Sequence, residues 1–213
     1  MSPLLTRLCV FCLACAIHIG GWAADEQLTL LVYGDSLSAS YGIEEQQGWV
    51  TLLQRRLDDE IPEVKVINGS VSGETTTGGL ARLPAMLASY EPELMILELG
   101  GNDGLRGLPV ELMRENLAQM IELAVAAGTE VILTGIQIPP NYGPRYTVPF
   151  FETYADLAKE KSLPLIPFLI DGIPQRPELM QNDGIHPRAE AQFMILDNVW
   201  PILKPVLENL KES

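Results

Sequence analysis

Short apolar runs alternate with longer amphipathic segments along the chain, and this alternation restricts the fold more than any other feature of the sequence. Residues 28–33 and 93–99 are largely apolar segments, typical of strands that are buried on both faces. Residues 48–60 lie between them and carry hydrophobic side chains at helical spacing. Strand and helix alternate about five times, which predicts an α/β fold with a parallel sheet and helices on both faces.

The remaining segments continue the same order. Further strands are predicted at residues 64–67, 130–136 and 165–169, and further helices at residues 75–90, 111–127, 149–161 and 187–210. Prolines are expected to interrupt two of these helices, at Pro84, Pro201 and Pro205. No repeat or linker divides the chain, so a single domain is predicted over residues 24–213. Ligands bind at the carboxyl ends of the strands in such sheets, and the loops there should carry the chemistry.

The first residues of the chain have a different pattern, which predicts a signal peptide over residues 1–23. A single arginine precedes an apolar run at residues 8–19, and small residues follow, with cleavage expected between Ala23 and Ala24. The alternatives are an uncleaved membrane anchor, for which the run is short, and a lipoprotein signal with Cys15 as the lipidated residue. Cleavage implies a periplasmic or secreted protein with no stable membrane insertion.

The distribution of cysteine and histidine excludes several kinds of chemistry. The three cysteines, Cys9, Cys12 and Cys15, all precede the expected cleavage site, so the mature chain has no thiol nucleophile and no disulfide. His186 is its only histidine, which excludes a multi-histidine metal site, and we expect no metal or other cofactor. The net charge of −14 is unfavourable for binding phosphate, so we expect no nucleic-acid partner.

The loop after the first predicted strand and a loop near the end of the chain contain reactive side chains. Ser36 directly follows the first strand and is a candidate nucleophile, although a serine there can also cap a helix. Asp183 precedes His186 by three residues and can accept a hydrogen bond from the Nδ1–H group, which fixes the tautomer and leaves Nε2 free as a general base. The alternative for His186 is an ordinary surface histidine. Asp35 is expected to hold the serine loop.

Two further loops contain candidate hydrogen-bond donors. Gly73 follows the second strand, where a glycine lets a backbone N–H approach a ligand, and Asn102 follows the third strand. A flexible loop and an Asx turn are the alternatives for these two positions. Together with the N–H of Ser36, these groups form the donor set of an oxyanion hole, in which each donor contributes about 3 kcal/mol. The four loops together predict acyl transfer.

The same four loops resemble the four blocks of the SGNH (GDSL) hydrolase family. Ser36 lies in Gly-Asp-Ser, Gly73 in the second block, Asn102 in Gly-x-Asn-Asp and His186 in Asp-x-x-His, in this order along the chain. The resemblance implies a three-layer α/β/α sandwich of flavodoxin-like architecture, with a five-stranded parallel sheet. It also implies a serine hydrolase that acts through an acyl-enzyme on Ser36.

Within this family, residues 33–38, 99–107 and 135–145 are most similar to the secreted bacterial thioesterases. That similarity implies small-molecule acyl esters and thioesters as substrates, among them aryl esters, acyl-CoA and lysophospholipids. An acyl chain needs apolar residues near the serine, and four residues in or beside the loops are candidates, with ordinary packing as the alternative. These candidates are Leu37, Leu105, Leu108 and Ile138.

Two other functions remain open at this point. A carbohydrate esterase of the same fold would remove acetyl groups from glycans. A sugar site usually exposes aromatic platforms, and the few candidates in the mature chain, which rank this function lower, are Tyr41, Trp49, Tyr142 and Tyr146. A non-catalytic lipid carrier on a hydrolase scaffold is the second alternative, although the intact Ser36, Asp183 and His186 argue against it.

Overall fold

A computed structural model of the protein describes residues 27–212, and a single sheet of five parallel strands forms its centre. The sheet order is β2-β1-β3-β4-β5, which is the flavodoxin-like order, so the predicted α/β architecture is confirmed. The direction of the strand order changes between β1 and β3, and ligands bind beside this switch point in open parallel sheets. The strands are β1 (Leu28–Gly34), β2 (Val64–Asn68), β3 (Leu94–Glu98), β4 (Glu130–Thr134) and β5 (Leu165–Ile166).

Helices cover both faces of the sheet and complete three layers. The helices are α1 (Trp49–Glu60), α2 (Thr76–Tyr90), α3 (Gly101–Leu105), α4 (Val110–Ala126), α5 (Pro144–Lys161) and α6 (Gln192–Glu212). Helices α1 and α6 share one apolar cluster with the side chains on one face of the sheet, and α2, α4 and α5 share a second cluster on the other face. The strands alternate between the two clusters: Ile96 packs in the first, whereas Met95 and Leu97 pack in the second.

The prolines do not interrupt the helices, and this part of the prediction is wrong. Pro84 lies inside α2, and Pro201 and Pro205 lie inside α6. All three are on the exposed side of their helices, whereas Leu83 and Leu203 beside them are buried. A proline removes one backbone hydrogen bond, but on the solvent side water satisfies the freed carbonyl, and the buried side holds the helix together.

Several element boundaries also differ from the predicted ones. Helix α5 begins at Pro144, earlier than predicted, because a proline suits the first turn of a helix. Helix α6 begins only at Gln192, since Pro187 pairs with Met180 in an isolated antiparallel bridge. Strand β5 contains two residues only, and the short α3 was not predicted.

The predicted signal peptide, residues 1–23, lies outside the described residues, and it stays a prediction. Within residues 27–212, no helix is long and apolar enough to cross a membrane.

Candidate active site

Three side chains form a hydrogen-bonded row at the carboxyl end of the sheet. Ser36 follows β1, and its Oγ lies 2.8 Å from Nε2 of His186. Nδ1 of the same ring lies 2.7 Å from Oδ2 of Asp183. The structure therefore brings together the three residues that the sequence analysis selected, although 150 positions separate serine from histidine. In this arrangement Nε2 can accept the serine proton while the carboxylate fixes the ring.

Hydrogen bonds within its own loop hold the carboxylate of Asp183. Its Oδ1 accepts from the backbone N–H groups of Ile185, at 2.9 Å, and of His186, at 3.0 Å. Partial burial acts to raise the pKa of Asp183, but the hydrogen bonds from the His186 ring and from these two N–H groups outweigh it and lower the pKa to about 2. Asp183 is therefore ionised at neutral pH and stabilises a positive charge on the ring.

Two buried carboxyl groups, those of Asp35 and Glu98, form hydrogen bonds that hold the turn carrying Ser36. Oδ1 of Asp35 accepts from the N–H of Leu37 at 3.1 Å. Oε2 of Glu98, at the end of β3, accepts from the N–H of Asp35 at 3.2 Å and from Oγ of Ser38 at 2.7 Å. The sequence analysis expected Asp35 to hold this loop but missed Glu98, because a carboxyl group at the end of an apolar strand is not by itself a sign of a site.

The three candidate oxyanion donors follow β1, β2 and β3: Ser36 and Gly73 lie on loops, and Asn102 lies in α3. The N–H of Val71 donates to the carbonyl of Gly34 at 3.0 Å, which ties the Gly73 loop to the end of β1. Among residues 27–212, the N–H groups of Ser36 and Gly73 donate no hydrogen bond, so both are available to a ligand. Gly73 has a φ of +80°, a conformation that favours glycine.

The third donor, Asn102, is oriented by Asp35. Its Nδ2 donates to Oδ2 of Asp35 at 3.0 Å, which uses one of the two amide protons and leaves the other for a substrate. Asn102 lies in α3, and Asp103 beside it accepts from the N–H of Thr76 at 2.8 Å, which attaches α3 to the start of α2. These contacts make the Asn102 amide a fixed donor and not a mobile one.

A cavity of about 250 Å³ opens beside Ser36, and its walls are mainly apolar. Leu37, Leu105 and Ile138 line it, as the sequence analysis proposed. Leu108 does not, because the chain turns away after α3: its N–H donates to the carbonyl of Asp103, and its carbonyl accepts from Oη of Tyr146. This part of the prediction is corrected.

Other wall residues were not selected from the sequence; they lie on the loops after β4 and β5 and before α6. Those residues include Ile136, Pro139, Phe168, Ile170, Met180 and Ile185.

An aromatic side chain that the sequence analysis assigned only to a possible sugar platform packs against the row of Ser36, His186 and Asp183. The ring of Tyr41 lies 4.4 Å from the ring of His186, centroid to centroid, at an angle of 38°. About half of Tyr41 is exposed, since its other face meets solvent. Trp49, the second candidate platform, is fully buried in the core and cannot contact a ligand.

No group of three or more metal-ligating side chains lies close enough together within residues 27–212 to hold a metal ion.

Fold and site together define a hydrolase of the three-layer α/β/α class. Residues 32–192 match the GDSL-like Lipase/Acylhydrolase family, and the chain belongs to this family. It is 52% identical to "Esterase TesA" of Pseudomonas aeruginosa, over 84% of this chain and 89% of the relative. It is 42% identical to "Thioesterase 1/protease 1/lysophospholipase L1" of Escherichia coli K12, over 88% of this chain and 87% of the relative.

Solved structures agree with this assignment. The crystal structure of TesA has a TM-score of 0.81 at 52% identity and covers 83% of this chain and 98% of its own. The psychrotrophic esterase EstA from a Pseudoalteromonas species, solved with monoethylphosphonate as inhibitor, has a TM-score of 0.81 at 43% identity, over 84% of this chain and 98% of its own. The protein is therefore an ester hydrolase, and the lipid-carrier alternative is set aside.

Proposed function

We propose that the protein is a serine esterase and thioesterase that cleaves acyl chains of medium or greater length through an acyl-enzyme on Ser36. One observation carries the proposal: Oγ of Ser36, at 2.8 Å from Nε2 of His186, lies at the wall of a mainly apolar cavity. A nucleophile beside an apolar slot suits a substrate whose acyl part is a hydrocarbon chain.

The reaction follows from the contacts of the three residues. Oγ of Ser36 attacks the carbonyl carbon while its proton passes to Nε2 of His186, and ionised Asp183 stabilises the resulting imidazolium. The N–H groups of Ser36 and Gly73 and the free amide proton of Asn102 bind the oxyanion. The intermediate then expels the alcohol or thiol, which takes the proton from Nε2. Water attacks the acyl-enzyme by the same route and releases the acid.

The leaving group is less restricted than the acyl chain. Beyond His186 the surface opens into a polar groove lined by Tyr41, Gln181, Asn182 and Arg188. An open polar exit accepts alcohols and thiols of different sizes, which supports aryl esters, acyl-CoA and lysophospholipids as the proposed substrates. The relatives' names, esterase and thioesterase 1/lysophospholipase L1, support the same range.

A glycan deacetylase is the weaker candidate. An acetyl group needs only a small acyl site, whereas the cavity beside Ser36, of about 250 Å³, has more room than two carbons fill and a mainly apolar wall. We further propose that residues 24–213 form the mature domain and that it acts in the periplasm or outside the cell, on the basis of the signal-like pattern of residues 1–23.

The test is the rate on two esters that differ only in acyl length. We expect kcat/KM to be higher for p-nitrophenyl octanoate than for the acetate, and Ser36→Ala to lower both by at least about 10³-fold. Ser89→Ala, on the exposed face of α2, is the matched control and should leave both rates unchanged. Activity of Ser36→Ala near that of the parent enzyme would refute the nucleophile. A preference for acetate would favour the deacetylase.

A further inference from the structure

Glu98 is the most deeply buried carboxyl group near the site, and the mechanism above does not use it. Its side chain is completely inaccessible to solvent, at the end of the central strand β3. Oε2 accepts from the N–H of Asp35 and from Oγ of Ser38, one on either side of Ser36 in the sequence. Oε1 is buried without a hydrogen-bond partner among residues 27–212.

The space that Glu98 occupies is created by Gly34. The register places Glu98 directly beside Gly34 on β1, and a Cβ at Gly34 would collide with Oε2 of Glu98. The carboxyl group therefore fits under the turn only because position 34 has no side chain. The carboxyl group fills this space and accepts hydrogen bonds from Asp35 and Ser38, so it supports the Ser36 turn directly.

The support extends from Glu98 to the oxyanion site through Asp35. Glu98 binds the backbone N–H of Asp35, and the side chain of Asp35 binds the amide of Asn102. The contacts thus run from Glu98 to Asp35 and from Asp35 to Asn102, and Ser36 is the next residue after Asp35 in the chain. A displacement of Glu98 would move the nucleophile and the Asn102 donor together.

Glu98 and Asp35 lie close together in the protein interior, where two ionised carboxylates would repel each other and raise the free energy of the fold. No ion pair to Lys, Arg or His is found for Glu98 or Asp35 among the described residues. Each carboxylate oxygen of Asp35 accepts a hydrogen bond, Oδ1 from the Leu37 N–H and Oδ2 from the Asn102 amide. Glu98 has donors on one oxygen only. The single negative charge is therefore more stable on Asp35.

We propose that Glu98 is a positioning residue that works as a neutral carboxylic acid, holding the Ser36 turn and, through Asp35, the Asn102 amide. The role rests on the proposed function of Ser36 and Asn102. The pKa values of Glu98 and Asp35 agree with a neutral Glu98. Burial and the nearby Asp35 raise the pKa of Glu98 well above its usual range. Burial also raises the pKa of Asp35, but only to about 6, so that Asp35 is largely ionised at neutral pH.

Two substitutions separate positioning from simple packing. Glu98→Gln keeps an acceptor oxygen for the Asp35 and Ser38 donors and is neutral, so it should retain kcat within about threefold. Glu98→Leu fills the space but removes the acceptor, and we expect kcat to fall about 100-fold with little change in KM, since small displacements of reacting groups have effects of that size. A kcat retained in Glu98→Gln but lost in Glu98→Leu shows that the acceptor oxygen matters. A residue that only filled the core would not separate the two variants in this way.

Thr134 supplies the matched control. It occupies the position beside Glu98 on the next strand, β4, and its hydroxyl is also buried without a partner in the described part of the chain. Thr134→Val removes a buried hydroxyl group that makes no hydrogen bond to the Ser36 turn. We expect its kcat to equal that of the parent enzyme.

Infrared difference spectroscopy at pH 7 measures the protonation state of Glu98 directly. The carbonyl band of a protonated carboxylic acid should be present in the parent protein and absent in Glu98→Gln. The same comparison in a Ser36→Ala background needs no turnover, so it tests Glu98 even if the proposed nucleophile fails. A spectrum with no such band would overturn the proposal. So would a Glu98→Gln enzyme as slow as Glu98→Leu, or a Glu98→Leu enzyme with the parent kcat.

Discussion

Narrowing the apolar cavity should change the preferred acyl length without changing the arrangement of Ser36, His186 and Asp183. Ile138 lines the cavity and is almost fully buried, and it has no hydrogen bond to the Ser36, Asp183 and His186 row. Replacement by Trp puts an indole where part of the acyl chain would lie. We therefore expect Ile138→Trp to lower the rate on long esters selectively.

The size of the effect follows from the number of methylenes excluded. Octanoyl has six more carbons than acetyl, and each buried methylene contributes about 0.8 kcal/mol. An indole that excludes two or three of them removes about 2 kcal/mol of transition-state binding, or roughly 30-fold in kcat/KM for the octanoate. The acetate does not reach the indole, and its rate should change less than about threefold.

The assay is kcat/KM for the acetate, butyrate and octanoate esters of p-nitrophenol. Leu108→Trp is the matched control, since Leu108 does not line the cavity, and it should leave the ratio between the esters unchanged. Thermal denaturation of both variants checks that the fold is intact. An equal loss on acetate and octanoate would show that Ile138 affects the reacting groups. An unchanged ratio would show that the acyl chain binds elsewhere.

Three further predictions concern the reacting groups. Asn102→Ala should lower kcat by about 10²- to 10³-fold with little change in KM, as steady-state kinetics on p-nitrophenyl octanoate will show; a change in KM alone would exclude the oxyanion role. Asp183→Asn should lower kcat by about 10⁴-fold, because the amide no longer holds the ring in the required tautomer. The pKa of Asp183 is lowered to about 2 by folding, so its stabilising effect is present above pH ~4 and is lost as the pH falls towards 2. Thermal denaturation across that range should therefore show a smaller loss of stability for Asp183→Asn than for the parent, and identical curves would contradict the assignment. Tyr41→Ala should lower kcat/KM about two- to fivefold, since an aromatic ring over a cation is worth about 0.5–1 kcal/mol at an exposed site, whereas Tyr41→Phe keeps the ring and should match the parent.

The site residues that the sequence analysis identified share one property: each lies in a loop with unusual local chemistry. Ser36 and Asn102 occur near glycines after predicted strands, and His186 precedes a proline in a loop near the end of the chain. The order of the strands then determines which loops meet. Because the parallel sheet brings these loop ends to one edge, spacing and periodicity were enough to predict their assembly.

Residues outside such loops could not be predicted in this way. Glu98 ends an apolar strand, and its importance depends on the missing side chain of Gly34 on a neighbouring strand. Leu108 was misassigned because nearness in sequence to Asn102 does not determine the direction of the chain after α3. The helix prolines were misjudged since their effect depends on which side of the helix faces water, and Pro84 faces water.

The 150 positions between Ser36 and His186 have a consequence for when the protein becomes active. Ser36 and the three candidate oxyanion donors all lie within residues 34–102, whereas His186 lies in the loop that precedes α6, and α6 packs against α1. Contacts this far apart in the sequence cost more loop-closure entropy than local ones. The row of Ser36, His186 and Asp183 is complete only once the C-terminal part of the chain has packed, so on the proposed mechanism a chain still being made holds a serine without its base.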